Sequence, residues 1–370
     1  MSMNTRIYLD FNATAPVVPA ARAAMTQAMA DPGNPSSIHA EGRRARDHVE
    51  RARDHVTRLV GRPREQVVFT SGGTEGNALG VLGLAAVAEQ RGLPRVVAAA
   101  AIDHPSLRGA VAALEARGWR RQPIAVTGAG ALVAGSFAGA GLVVVAAVNH
   151  ELGTVAGTDI VAAARTAGAL VHMDAVQAAG KLALATLDAD ALVISAHKLG
   201  GPQGAGALII ALDDGLPLLD AGHQERGRRP GTENTLGIVG LGAAAQAADP
   251  AGWPAVAALG DRLEAGLRAL DHVRIHGAGT PRIGGTINAG FAGARGESIV
   301  IALDLAGVAV STGAACTSGS VLPSPVLLAL GLPADQAREA VRFSLGRTTT
   351  AGEIDAVLAR LPAIVARARR

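Results

Sequence analysis

Two reactive residue types are scarce in this chain, which contains one cysteine, Cys316, and two lysines, Lys181 and Lys198. Lys198 follows the apolar run ALVIS (191–195) and lies on a turn bounded by glycine and proline. A lysine placed there can point into a cleft at the carboxyl edge of a sheet, where α/β proteins bind ligands. Its amine could form a Schiff base with a carbonyl compound. The alternative is a solvated surface lysine, and Lys181, which follows a glycine, is predicted to lie on a surface connection.

The single cysteine lies in a run of small polar residues and glycine, STGAACTSGS (311–320). Such a run does not pack as a core element, and it predicts a mobile loop. Because unreactive buried cysteines prefer apolar surroundings, this composition predicts that Cys316 is an accessible nucleophile. One cysteine also excludes an internal disulfide and indicates a reducing compartment.

An acidic residue, Asp174, ends the apolar run ALVHMD (169–174), and Gln177 follows three residues later. A carboxylate at a buried strand end is costly unless it is paired, and the protonated ring nitrogen of a cofactor is a suitable partner. The alternative is a helix N-cap at Asp174, and the two roles are compatible.

A predicted strand, a Gly–Gly turn and a helical stretch meet at SGGTE (71–75). This arrangement presents backbone N–H groups and the positive end of a helix to a phosphate, although short Gly–Gly turns are common for other reasons. Ser195, His197 and Thr232 could complete the phosphate site. His104, after another strand, could lie against a cofactor ring and move protons, or be structural. Arg342, in VRFSLGR, is a candidate clamp for a substrate carboxylate or else a surface arginine at a strand edge.

The composition limits the class of protein. With 370 residues, of which 49% are hydrophobic and 18% charged, a large domain and a smaller one are expected. A formal charge of +3 and only 2% aromatic residues argue against nucleic-acid binding. The uncharged stretch 128–148 is glycine-rich and predicts a connection into a buried strand, not a membrane span. No signal peptide is visible, so a cytoplasmic location is expected.

Short apolar runs alternate with helical stretches between residues 65 and 210, which predicts an α/β domain with a mostly parallel sheet. The runs are continuous, as in strands covered on both faces, and the last of them is expected to pair antiparallel. They lie at 66–70, 94–100, 142–148, 169–174, 191–195 and 206–210. After residue 250 the pattern changes to a smaller α+β domain. Its predicted elements are a helix at 254–270, strands near 273–276 and 283–290, a helix near 297–306 and a helix from Ala351.

These patterns predict three parts of the chain. Residues 1–16 form an N-terminal arm that packs with the small domain. Residues 17–250 form the large domain, and residues 251–370 form the small domain with the Cys316 loop.

Taken in order, the motifs resemble those of the NifS/IscS-type cysteine desulfurases, in the class V aminotransferase group of pyridoxal-phosphate enzymes. The resemblance covers almost the whole chain. It is carried by YLDFNATAP (8–16), GNPSSIHAEGR (33–43), FTSGGTEGN (69–77), VNHELGT (148–154), HMDAVQAAGK (172–181), SAHKLGGPQGAGAL (195–208), RRPGTENTLGIVG (228–240), STGAACTSGS (311–320) and VRFSLGR (341–347). It implies fold type I of pyridoxal-phosphate-dependent transferases, with a mostly parallel, seven-stranded-type sheet in the large domain, and a homodimer.

The resemblance also implies roles around pyridoxal 5′-phosphate. Lys198 binds the cofactor covalently and moves the Cα proton, Asp174 pairs with the ring nitrogen, and His104 stacks on the ring as acid and base. Gln177 hydrogen-bonds the phenolic oxygen. The phosphate is bound by five residues, of which the last comes from the partner subunit: Gly73, Thr74, Ser195, His197 and Thr232.

For the reaction, the resemblance implies that Arg342 holds the carboxylate of L-cysteine, with Asn34 as a helper. Cys316 attacks the substrate sulfur, becomes a persulfide and leaves L-alanine. The sulfur then passes to an iron–sulfur scaffold or a thiolation carrier. No intrinsic metal is implied, although Cys316 could contact a nascent iron–sulfur cluster.

Two features depart from the family pattern. His150 stands near the cofactor ring where the family usually has asparagine, which changes charge and bulk. The end of the chain, RLPAIVARARR, lacks the longer tail with which housekeeping members hold their scaffold partner, so the sulfur acceptor stays open.

Other functions on the same fold are the alternatives. They are a selenocysteine lyase, a cysteine-sulfinate lyase, an aminotransferase, and a non-catalytic binding or scaffold protein. An aminotransferase has no need of the Cys316 thiol. Retention of Lys198, Asp174 and Cys316 together argues against a scaffold.

Overall fold

A seven-stranded sheet forms the centre of the computed structural model, which describes residues 6–211, 221–313 and 322–369. Numbered along the chain after β1 (Ile7–Tyr8), its strands are β2 (Val67–Thr70), β3 (Val96–Ala100), β4 (Arg120–Ile124), β5 (Leu142–Ala146), β6 (Leu170–Asp174), β7 (Ala191–Ser195) and β8 (Gly206–Ile210). The order across the sheet is β2-β8-β7-β6-β5-β3-β4. β8 runs antiparallel to β2 and β7 on its two sides, and the other six strands are parallel to one another.

All six strands predicted from apolar runs lie in this sheet, and β8 pairs antiparallel as expected. The seventh, β4, was not predicted. Its sequence, RRQPI, is partly exposed along most of its length because the strand lies at the sheet edge. An edge strand needs no continuous apolar run, so the pattern that identifies the central strands is missing there.

Helices cover both faces of the sheet. Those of the first part of the chain are α1 (Pro19–Ala28), α2 (Ala40–Val60), α3 (Gly73–Gln90), α4 (Pro105–Glu115), α5 (Thr158–Thr166), α6 (Ala196–Leu199) and α7 (Thr235–Gln246). Neighbouring strand residues face opposite sides, so Val68 belongs to an apolar cluster that includes residues of α3 and α4, whereas Phe69 belongs to one that includes residues of α2, α5 and α7. Burial on both faces explains why the strand sequences are continuously apolar.

The chain after residue 250 builds a second, smaller sheet. Its elements are α8 (Trp253–Arg268), β9 (Val273–His276), β10 (Thr286–Phe291), α9 (Gly296–Leu305), β11 (Val308–Ala309), α10 (Pro325–Ala329), α11 (Ala334–Ala337), β12 (Ala340–Ser344) and α12 (Ala351–Ala368). The strands β12, β10 and β9 form an antiparallel sheet. From the amino terminus, β1 pairs parallel with β11, and Asp10 forms a bridge with Ser344.

The uncharged stretch 128–148 ends in β5, whose residues Leu142–Val145 are fully buried in the central sheet. Among the described residues, no helix has both the length and the apolar composition needed to cross a membrane.

Candidate active site

The carboxyl ends of β2, β3, β5, β6 and β7 meet at one edge of the central sheet, which is where ligands bind in α/β proteins. The segments that follow these strands surround a cavity of about 380 Å³. Ten predicted site residues line it: Gly73, Thr74, His104, His150, Asp174, Gln177, Ser195, His197, Lys198 and Arg342. Asn34 and Thr232 are exposed and do not line the cavity, and Cys316 lies outside the described residues.

Lys198 lies in α6, a one-turn helix that begins directly after β7 and ends at Gly200, whose φ is 91°. Its Nζ donates hydrogen bonds to the backbone carbonyl oxygens of Asn12 and Ala13, the second at 2.7 Å. Both carbonyls belong to the segment that follows β1. The amine therefore lies inside the cavity and is not an ordinary surface lysine.

Asp174, the last residue of β6, is only 6% exposed. Its Oδ2 accepts a hydrogen bond from Nδ2 of Asn77 (2.8 Å), and its Oδ1 accepts one from the backbone N–H of Val176 (2.9 Å). Turns follow Asp174, so the predicted helix cap is absent there. Burial raises the pKa of this carboxyl group, and the two hydrogen bonds oppose that shift. A cationic partner in the cavity would stabilise the carboxylate further.

Asn77, in α3, was not singled out by the sequence analysis, although it is fully buried and lines the cavity. Its Oδ1 lies 3.0 Å from Nε2 of His172, and its Nδ2 also donates to Oγ of Ser106 (2.9 Å). Because the amide oxygen can only accept, His172 carries its proton on Nε2. Ser106 Oγ lies 2.8 Å from Nδ1 of His104. Asn77 thus joins Asp174 to the side of the cavity that holds His104.

His104 and His150 face each other edge to face, with ring centroids 5.1 Å apart and an interplanar angle of 80°. Nδ1 of His104 accepts the backbone N–H of Ser106 at the start of α4. Burial lowers the pKa of both imidazoles, and that of His150 lies well below its usual value, with His104, Arg342 and Lys198 adding to the shift. His150 is therefore a neutral group at neutral pH.

Backbone N–H groups at the start of α3 form the other end of the cavity. Gly72 has φ 155° and ψ −173°, a conformation open in practice only to glycine. A Cβ on Gly73 would lie 2.9 Å from Cγ2 of Val176. No side chain of the described residues caps this helix end, so its N–H groups remain available to an anion. Ser195 and His197 lie beside it, and burial lowers the pKa of His197 to about 4.

Arg342 lies in β12 and is only 4% exposed, so the alternative of a surface arginine is wrong. Its Nη2 donates to Oδ1 of Asp10 (2.8 Å), and its Nη1 donates to the carbonyl oxygen of His150 (3.2 Å). Its buried Nε has no hydrogen-bond partner among the described residues. Each Nη atom uses one of its two N–H groups in these bonds, so the guanidinium has N–H donors left for a ligand that enters the cavity.

Lys181 is not on the surface connection that the sequence predicts. It is 9% exposed, and its Nζ donates to Oε1 of Gln177 (3.0 Å) and to Oδ1 of Asn12 (3.2 Å). Burial, assisted by Lys198 and Arg342, lowers the pKa of Lys181 to about 7. The prediction was wrong because the side chain turns inward beneath residues that are far away in sequence, which local composition does not reveal.

The cavity thus combines an amine, a buried carboxylate, an amide and an uncapped helix start. This donor set fits a cofactor with a carbonyl carbon, a protonated ring nitrogen, a phenolic oxygen and a phosphate, which are the groups of pyridoxal phosphate. The fit rests on the buried carboxylate of Asp174 and on the close approach at Gly73, where a Cβ would not be accommodated without a shift.

Comparison with known proteins finds similarity along nearly the whole chain. Residues 7–357 match the family described as aminotransferase class-V. The cysteine desulfurase of Enterobacter agglomerans is 39% identical over 98% of this chain and 93% of its own length. The cysteine desulfurase of Cereibacter sphaeroides is 41% identical over 97% and 96%. The crystal structure of a NifS-like protein from Rickettsia africae superposes with a TM-score of 0.85 at 27% identity, covering 97% of this chain and 99% of that one.

Proposed function

The chain belongs to the aminotransferase class-V family and is a cysteine desulfurase that uses pyridoxal phosphate, and on this premise we propose that the sulfur of L-cysteine leaves on Cys316 as a persulfide. The products are L-alanine and the Cys316 persulfide. The Cβ–S bond of the substrate breaks, an S–S bond forms, and Cβ receives a proton, so atoms and electrons balance without an added oxidant or reductant.

Pyridoxal phosphate, when bound, supplies the electron sink that weakens the bonds of the substrate amino acid. Lys198 is the residue proposed to hold it covalently and to carry the proton of the substrate Cα. Asp174 would hold the ring nitrogen in its protonated state, and its carboxylate is kept in place by Asn77. His104 would lie on the ring, with its Nδ1 fixed by Ser106 so that its Nε2 is free to exchange protons.

Residues that line the cavity are assigned to the remaining contacts with the cofactor. We assign the phenolic oxygen to the amide of Gln177. The phosphate is assigned to the start of α3, at Gly73 and Thr74, and to two residues beside it, Ser195 and His197. Thr232 is exposed in this chain, which is compatible with a contribution to the phosphate site of a second copy in a homodimer.

The substrate carboxylate is assigned to Arg342. The second N–H groups of its Nη1 and Nη2 offer the two-pronged geometry that recognises carboxylates. Asn34 stays a proposed helper, for which this single chain offers no contact with the cavity. His150, as a neutral imidazole between His104 and Arg342, would limit the space beside the reacting substrate.

The observation that carries the proposal is the position of Gly313, which lines the same cavity as Lys198 and Arg342. Cys316 is three residues further along the chain. Three residues reach at most about 11 Å, and this short distance supports the proposal that Cys316 acts on a substrate in the cavity. Sulfur would then pass to an acceptor protein of iron–sulfur assembly or thiolation, in the cytoplasm.

The assignment of Lys198 is tested by trapping. The holoprotein is reduced with borohydride and digested, and the peptide that carries the cofactor is identified. Modification of Lys198 is the expected result, and a Lys198→Ala variant should show none. Modification of Lys181 instead would contradict the assignment. The rates of L-alanine formation from L-cysteine, L-selenocysteine and L-cysteine sulfinate, compared at equal concentration, distinguish the desulfurase from the related lyases.

A further inference from the structure

Lys181 is a second buried lysine beside the cavity, and the proposed reaction gives it no role. Its Nζ does not line the cavity, yet it contacts two residues that do, Gln177 and Asn12. The face of the Trp253 ring lies 5.3 Å away on another side. The Lys181 amine thus contacts two amide oxygens and lies near an aromatic ring.

No acidic residue of the described chain is among the groups that shift the pKa of Lys181. A buried ammonium without a carboxylate costs free energy, because the lost hydration is replaced only by neutral acceptors. Core stability alone would therefore favour an apolar side chain of similar length. This cost suggests that the charge serves the neighbouring site.

The contacts of Gln177 show what the charge does. Its Oε1 accepts from Lys181 (3.0 Å), and its Nε2 donates to the carbonyl oxygen of Asn12 (3.0 Å). The Asn12 carbonyl can only accept, and Lys181, in the protonated form that predominates below its pKa of about 7, can only donate. If the amide were turned over, its NH₂ would face the ammonium and its oxygen would face the carbonyl, so both contacts would be repulsive. One orientation of the amide is therefore fixed.

We propose that Lys181 is a positioning residue for the cofactor, because it holds the oxygen of Gln177 and leaves an N–H of that amide to donate to the phenolic oxygen. This inference rests on the proposed function, since it assigns the same cavity to the cofactor. Lys181 also holds Oδ1 of Asn12, whose backbone carbonyl binds the amine of Lys198. Lys181 and Lys198 thus donate to the same residue, the first to its side chain and the second to its backbone carbonyl.

The test is the pH titration of the absorption band of the bound cofactor in a Lys181→Met variant. Loss of the fixed donor and of a nearby positive charge both favour the protonated form of the lysine–cofactor linkage. The midpoint should rise by about one pH unit, the size of a typical single-interaction shift. The melting temperature of the cofactor-free protein should stay the same or rise, because an unpaired buried charge is removed. A merely structural lysine would give the reverse: a lower melting temperature and an unchanged midpoint.

A double-variant cycle shows whether Lys181 acts through Gln177. The midpoint shift of Lys181→Met combined with Gln177→Leu should be smaller than the sum of the two single shifts, because only the direct effect of the lost charge remains once Gln177 is replaced. Additive shifts would overturn the proposed route. Arg347→Met is the matched control, since Arg347 donates to the carbonyl of Gly180 next to Lys181 but does not contact Gln177. Its midpoint should equal that of the parent.

A second variant covers the case in which Lys181→Met does not fold. Lys181→Gln keeps a donor but loses the charge, so its midpoint should rise by less than that of the methionine variant. An unshifted midpoint in these Lys181 variants contradicts the role of Lys181 alone. A parent protein that forms no absorption band with pyridoxal phosphate contradicts the proposed function itself.

Discussion

Asn77 donates a hydrogen bond from Nδ2 to Oδ2 of Asp174 over 2.8 Å, and both side chains are buried. The same amide nitrogen donates to Ser106, which in turn contacts His104. His172 donates to the oxygen of the same amide and so holds it in this orientation. One side chain therefore holds both the carboxylate assigned to the ring nitrogen and the serine that contacts His104.

Replacing Asn77 by leucine, which has a similar shape, should weaken cofactor binding. The change removes a donor to a buried carboxylate, and such a bond contributes about 1.5–3 kcal/mol, so the dissociation constant should rise about 10- to 100-fold. Absorption titration of the cofactor-free protein measures it. Ser106→Ala is the control, because it leaves the bond to Asp174 intact and should have the smaller effect. Equal affinity of Asn77→Leu and the parent would show that Asn77 does not support Asp174.

Arg342→Lys should raise the KM for L-cysteine at least about tenfold while kcat changes less. Lysine keeps the charge but loses the forked donor geometry that a carboxylate needs. Steady-state alanine formation measures both constants. Arg338→Lys, a surface variant next to Asp335, should behave like the parent. A fall in kcat at constant KM would contradict the assignment of Arg342 to the substrate carboxylate.

His150→Asn should leave the shape of the pH–rate profile unchanged. Burial holds the pKa of His150 well below its usual value, so a neutral imidazole is exchanged for a neutral amide across the working range. The absolute rate can change, since the shape of the cavity beside His104 does. The measurement is kcat/KM from pH 6 to 9, a range chosen to bracket the usual pKa of histidine. A displaced limb of the profile would show that His150 is charged in the parent.

His172 should make the folded protein sensitive to acid. Burial lowers its pKa to about 3, whereas the unfolded chain has the ordinary value near 6.5. Below pH 6.5 the unfolded state binds a proton that the folded state does not. The stabilisation present above that pH is therefore lost, by up to about 1.4 kcal/mol per pH unit, as the pH falls towards the folded pKa.

Comparing the pH dependence of stability between variants separates the contribution of His172 from that of other buried groups. Urea unfolding of the cofactor-free His172→Gln variant, measured between pH 7.5 and 5, should show a stability that depends less on pH than that of the parent. His223→Gln, at an exposed position, is the control and should keep the parent's dependence. Identical dependences for all three proteins would contradict a neutral, buried His172.

Local patterns in the sequence predicted much of the fold because they reflect how the residues of each element are buried. Continuous apolar runs identified the strands that are covered on both faces, and polar residues at their ends marked the cavity. The edge strand β4 was missed because its half-exposed residues lack that pattern.

Long-range contacts account for what the sequence did not predict at the site. Lys181 is buried because Asn12, 169 positions earlier, accepts its hydrogen bond. Asn77 and Asp174 are separated by 97 positions. One signal was available for Asn77: it lies one helical turn after Gly73 and so shares the side of α3 that faces the cavity. Nothing comparable in the local sequence marks Lys181.

The central claim, sulfur transfer through Cys316, is tested most directly by one comparison. The parent and a Cys316→Ala variant are loaded with pyridoxal phosphate and mixed with L-cysteine, and alanine and protein-bound persulfide are quantified by mass spectrometry. The parent should form both, with one added sulfur on the Cys316 peptide. The variant should keep the absorption of the bound cofactor but form neither product at a comparable rate. Alanine formation at the parental rate in Cys316→Ala would contradict the account.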